Sequence, residues 1–116
     1  MVESSKAVKP WRQAVWVAAH NAVVGKPPLD GPLAVRMVFT MPKPIAAPKT
    51  RRSWPSKMPD LSKLARSTED ALTDARVWKD DARVVQYDRL AKVFPGEDPE
   101  ALPTTGVYIE IRVLVA

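Results

Sequence analysis

Pro59-Asp60-Leu61-Ser62-Lys63-Leu64-Ala65-Arg66-Ser67-Thr68-Glu69-Asp70-Ala71-Leu72-Thr73 is the stretch on which the reading turns. Leu61, Leu64, Ala65, Thr68, Leu72 and Ala75 recur at the spacing of a helix face turned toward a core, and Asp60 stands where an N-cap is expected. Ser62, Arg66, Glu69, Asp70 and Thr73 take the opposite face, with Arg66 and Asp70 one turn apart and expected to pair. A second motif, Val77-Trp78-Lys79-Asp80-Asp81-Ala82-Arg83-Val84-Val85, follows closely, and a segment without acids lies just ahead. Carboxylates at both ends of a helix, beside a basic run, suit a metal ion held against a phosphate backbone. A hard cation takes oxygen ligands, and a polyanion needs positive charge.

Downstream, residues 83–94 read as a strand rich in Val and Tyr, and a Pro-Gly-acidic loop over 95–105 leads to a last strand. There Val107, Ile109, Ile111, Val113 and Val115 alternate with Tyr108, Glu110, Arg112 and Leu114, the pattern of a half-buried strand. Upstream, Leu33, Val35, Met37, Phe39 and Met41 alternate with Ala34, Arg36, Val38 and Thr40, which predicts a strand with one buried face. Five prolines punctuate residues 42–59, so a semi-rigid loop without regular structure is expected there. Pro10 suits a first helical position and Gly25 a helix C-terminus. Between them Trp11, Ala14, Val15, Ala18 and Ala22 form the apolar side of a helix and Arg12, Gln13, His20 and Asn21 the polar side. His20 is expected to be a solvated surface residue. The order helix, strand, loop, helix, strand, strand predicts an α+β fold of two helices and about three strands in a mixed sheet, as a single domain over residues 1–116.

The chain carries a net charge of +5, and residues 31–59 hold Arg36, Lys43, Lys49, Arg51, Arg52 and Lys57 with no acid. This uneven distribution favours nucleic acid or an acidic surface as partner. Trp54 among these cations is placed to stack on a base or an arginine plane, or to peg the loop to the body. The absence of cysteine excludes disulfides, thiolate zinc sites and cysteine nucleophiles, and His20 alone builds no multi-histidine site. No apolar run approaches the roughly 20 residues of a membrane span, so a cytoplasmic location is expected.

Asp80 and Asp81 stand at the entry to a strand, where successive side chains point to opposite sides, so only one readily faces a given site. Spacing leaves two readings open: a two-carboxylate cation site built from Asp60 and one of the doublet, or a helix cap and a polar turn.

The residues from Met58 to Val85 resemble the RusA family of Holliday junction resolvases, small magnesium-dependent endonucleases common in phages and prophages. The family pattern runs Asp-x-Asp-Asn, a basic residue, Asp-Ala-Leu-Thr, an apolar-Trp pair and Asp-Asp. Asp60, Arg66, Asp70-Ala71-Leu72-Thr73, Val77-Trp78 and Asp80-Asp81 fall on it without a gap. The resemblance implies an α+β fold, an intertwined homodimer and symmetric cutting of a four-way DNA junction. It assigns Asp60 and Asp81 to Mg2+, with Mn2+ able to substitute and Asp80 as the alternative ligand, and Arg66 to the place of a required lysine. Lys43, Lys49, Arg51, Arg52, Lys57 and Lys63 are expected to grip DNA phosphates.

Three departures accompany the resemblance. Ser62 stands where a second metal-binding aspartate is usual, Arg66 replaces a point charge with a planar fork, and the first strand of the family is expected to be absent. Two further readings stand beside the nuclease: a junction-binding protein with weakened catalysis, and a basic protein-interaction module of a phage.

Overall fold

The computed structural model describes residues 2–115, with side chains from residue 11 onward. Helix α1 spans Val2–Val23, strand β1 Leu33–Thr40, helix α2 Leu61–Asp74, strand β2 Val84–Val93 and strand β3 Gly106–Val113, with a short 3-10 helix, Asp81–Arg83, ahead of β2. The sheet order is β2-β1-β3, β1 running parallel to β2 and antiparallel to β3. The α+β architecture with a three-strand mixed sheet matches the sequence reading, and β1-α2-β2 forms one crossover unit within it.

The central position of β1 overturns the expectation of a strand with one buried face. Every residue of β1 except Arg36 is buried. Its odd-numbered side chains meet α1 and α2, with Leu33, Val35, Met37 and Phe39 in one core with Val15, Leu64, Leu72 and Trp78. Loop 94–105 returns beneath the other face, where the Leu102 amide donates to Thr40 Oγ1 at 2.8 Å. Polar alternation is therefore not required, and Arg36 enters only because Glu100 at 3.2 Å and Glu110 at 3.5 Å neutralise it.

Helix α1 also differs at its start. It begins at Val2 rather than at Pro10, because the backbone ahead of the proline carries no breaker and proline removes only one helical donor. Gly25 does close it, taking the left-handed φ of 81° that glycine adopts without penalty. The side that meets the core is Trp11, Val15, Ala19 and Val23, whereas Ala14, Ala18 and Ala22 flank an open groove against β3. Trp11 approaches Phe39 with ring centroids 5.5 Å apart, and Arg12 ties α1 to α2 through Asp74 at 3.1 Å. His20 is exposed and stacks on Trp16 at 4.8 Å, in agreement with a surface role.

Helix α2 follows its sequence pattern closely: Leu64, Ala65, Ser67, Thr68, Ala71 and Leu72 are buried. Its end is a Schellman-type closure, with the Arg76 amide bonded to the Thr73 carbonyl, the Val77 amide to the Leu72 carbonyl, and Arg76 at φ 63°. Val77 and Trp78 then fold back into the core, where each fully buried large side chain contributes about 1.5–3 kcal/mol.

Candidate active site and nucleic-acid interface

Electrostatics separates the acids among the described residues into two groups. Asp30, Asp70, Asp74, Asp88, Glu97, Asp98, Glu100 and Glu110 all form ion pairs with Arg or Lys. Among the described residues Asp60, Glu69, Asp80 and Asp81 form none, and all four lie in the two motifs around α2. Arg12 neutralises Asp70 and Asp74 on α2 itself, Glu69 accepts from Tyr87 and Asp80 from the Ala82 amide, which leaves the carboxylates of Asp60 and Asp81 without a hydrogen-bond or ion-pair partner among the described residues.

Asp60 occupies the N-cap position of α2 in extended backbone, yet its carboxylate makes no capping hydrogen bond and remains exposed. The Lys92 ammonium, from the C-terminal half of β2, donates to the Lys57 carbonyl at 2.8 Å and the Pro59 carbonyl at 2.9 Å, pinning the chain just before Asp60. Burial pulls the Lys92 ammonium below the usual lysine range, and the Asp60 charge opposes that shift.

Asp80 caps the 3-10 helix, its carboxylate accepting from the Ala82 amide at 2.5 Å. Asp81 in the first turn is exposed; its carbonyl accepts from the Val84 amide, while its carboxylate forms no hydrogen bond or ion pair among the described residues. This turn packs against α2, and the Asp81 charge reaches Tyr87 on β2. The Tyr87 hydroxyl donates to Glu69, and burial, followed by that bond, pushes the phenol up to about 12. Asp60 and Asp81 therefore flank the same helix, the charge of one acting on Lys92 and that of the other on Tyr87. Among the described residues no group of three or more His, Asp or Glu side chains is arranged to hold a metal ion.

Arg66 is exposed on α2 and forms no ion pair among the described residues. The expected Arg66–Asp70 pair is replaced by Arg12, whose guanidinium comes across from α1 to within 4.0 Å of Asp70. Ser62 is exposed one turn from Arg66, and Lys63 is half-buried with an interaction of its own.

The basic loop over 42–59 is not uniformly open. Lys43 is bonded to Glu97, and Arg52 pairs with Asp98 at 3.0 Å while lying 3.9 Å over the Trp54 ring. Asp98 also takes Arg89 through both oxygens, at 2.6 and 2.8 Å. These bonds, Arg89 foremost, hold its carboxyl far below the usual aspartate range. Lys49, Arg51 and Lys57 form no ion pair among the described residues.

Lys92, the Glu69–Tyr87 pair and the clamp of residues 97–100 on the basic loop were not legible as site features. Only the opposite charges of the 42–59 and 97–100 segments offered a signal.

A profile of the family described as endodeoxyribonuclease RusA matches residues 1–112 of the 116-residue chain. The chain belongs to this family. No match is found among curated proteins. The RusA match extends well beyond the motif residues, so α1 and all three strands belong to the shared fold. No helix among the described residues is long and apolar enough to cross a membrane.

Proposed function

We propose that this RusA-family protein is a magnesium-dependent endodeoxyribonuclease that hydrolyses phosphodiesters in four-way DNA junctions. The observation carrying the reading is that Asp60 and Asp81, at the two motifs flanking α2, stay exposed and among the described residues form no ion pair, while every other described acid except Glu69 and Asp80 is paired with Arg or Lys.

The donor set fits magnesium, which takes one or two carboxylates and fills its shell with water and phosphate oxygens. Asp60 and Asp81 would hold the ion, with Asp80 less suited because its carboxylate already caps a turn. When bound, the ion supplies Lewis-acid polarisation of the phosphodiester and a more acidic water. Arg66 offsets charge that grows on the phosphate in the transition state. Lys49, Arg51 and Lys57 fix the backbone without reading sequence.

A twofold substrate calls for a twofold protein, and a homodimer is part of the proposal. An apolar groove of about 880 Å³ between α1 and β3, together with a run from Gln13 to Gly25 that carries no Asp, Glu, Lys or Arg, supports a second copy on this side.

The test is a synthetic four-way junction incubated with magnesium. Symmetric nicking that disappears in Asp81→Asn is the expected result, and junction binding that never leads to nicking, with or without magnesium, overturns the enzymatic reading. Ser62 and the lack of a three-acid group among the described residues favour one second reading, a junction-binding protein with weakened catalysis. Gain of nicking in Ser62→Asp from an inactive parent would support it.

A further inference from the structure

Beneath the proline-punctuated loop lies a cavity of about 470 Å³ that adjoins the groove between α1 and β3 at Trp11 and Thr105. Trp11, Leu64 and Phe94 line its inner side, and Trp54, Pro55 and Pro59 its loop side. Two of the lining residues, Trp11 and Ser53, keep Nε1 and Oγ buried behind the wall without a hydrogen-bond partner. The reachable wall is therefore mainly apolar and aromatic, the lining that suits a flat guest. Trp54 is 59% exposed and carries the Arg52 guanidinium over its ring. Lys57 lines the cavity, Arg51 and Lys49 stand on the same loop, and Pro59 leads directly into Asp60.

We propose that this cavity receives an unstacked nucleobase from branched DNA. Flat apolar and aromatic walls, with Trp54 at the loop side, suit the faces of a base. The cations of the loop match the phosphates on either side, a charge complementarity that an apolar peptide would not use. A base lodged here brings its own phosphate to the start of α2, beside Asp60. Junction crossovers are where bases unstack at lower cost, because continuous stacking between arms is interrupted there. The inference rests on the junction-nuclease reading and adds to it a contact made by a base rather than by the backbone.

The experiment measures binding in EDTA, free of any cleavage, to two junctions that differ by one extra unpaired 2-aminopurine at the crossover. The wild-type chain should bind the junction with the unpaired base about tenfold more tightly and quench its fluorescence by stacking. Ala47→Phe, which fills the cavity from a loop position, should abolish the tenfold preference and the quenching while leaving affinity for the fully paired junction unchanged. Trp54→Ala should relieve the quenching, and thermal melts establish that both variants are folded. Equal affinity of the wild type for the two junctions, or preference and quenching that survive in Ala47→Phe, overturns the proposal. Failure to bind either junction would instead sink the nuclease reading on which it rests.

Discussion

The Trp78 indole Nε1 donates a 2.7 Å hydrogen bond to Thr73 Oγ1, and the same hydroxyl donates to the Glu69 carbonyl at 2.9 Å. One side chain thus joins the last turn of α2 to the segment that turns back toward β2. Because Trp78 is almost fully buried, its N–H has no water to turn to. The motif words Asp-Ala-Leu-Thr and Val-Trp are in this respect a structural latch: Ala71, Leu72, Val77 and Trp78 fill the core and Thr73 satisfies the one polar atom among them.

Replacing Thr73 by Val should therefore destabilise the fold by about 1–3 kcal/mol, the usual cost of an unsatisfied buried donor. Thr73→Ser should recover most of the loss. Urea denaturation of the two variants against the parent measures it.

Arg76 sits at φ 63° in the closure of α2, where a side chain is strained and glycine is not. Arg76→Gly is expected to raise stability by up to about 1 kcal/mol, while Arg76→Ala gives no gain. Thermal melts that rank Ala with Gly would show that the Arg76 side chain, not its backbone, sets the effect.

Acid should loosen the sheet face opposite the helices. Asp88 is held down to about 2, chiefly by its bonds from Arg112, and Asp98 is held lower still by Arg89. For a carboxyl depressed on folding, the stabilisation is complete above the ordinary aspartate value near 4 and is lost as pH falls through the folded value. Stability should therefore decline between about pH 4 and pH 2. Asp98→Asn should lower stability at neutral pH and flatten that decline, as read by denaturant midpoints across the range.

Within the DNA-binding reading, the cations of the basic loop should not act alike. Lys49, Arg51 and Lys57 are not paired among the described residues, whereas Lys43 is tied to Glu97. Each lost phosphate contact lowers the salt dependence of duplex binding by about 0.9 in the log–log slope. Alanine at all three positions should reduce the slope by roughly 2–3, and Lys43→Ala should leave it nearly unchanged. Anisotropy titrations over a salt series decide between them. An equal effect of Lys43→Ala would mean that DNA displaces Glu97.

Much of the architecture could be read from periodicity. The apolar spacing of Leu61, Leu64, Thr68 and Leu72, the alternation from Val107 to Val113 and the turn residues between them each encode their element through local geometry, and the order of elements followed. The doublet Asp80-Asp81 was legible as chemistry of some kind, but which carboxylate is engaged by its own backbone depended on the 3-10 turn that Asp80 caps. Arg66 and Asp70 show the limit of neighbour rules: a one-turn spacing permits a pair, and a guanidinium arriving from α1 on Arg12 takes the acid instead.

Local sequence by itself determined the helices, the strands, the family motifs and the excess of positive charge before α2, because these depend on residues within a turn or two of one another. Tertiary structure alone decided that β1 is buried on both faces, that residues 97–100 neutralise part of the basic loop, and that among the described residues Asp60 and Asp81 are left without ion pairs. Those outcomes depend on which distant charges meet across the sheet, and ion pairing at separations of forty residues or more leaves no periodic trace in the chain.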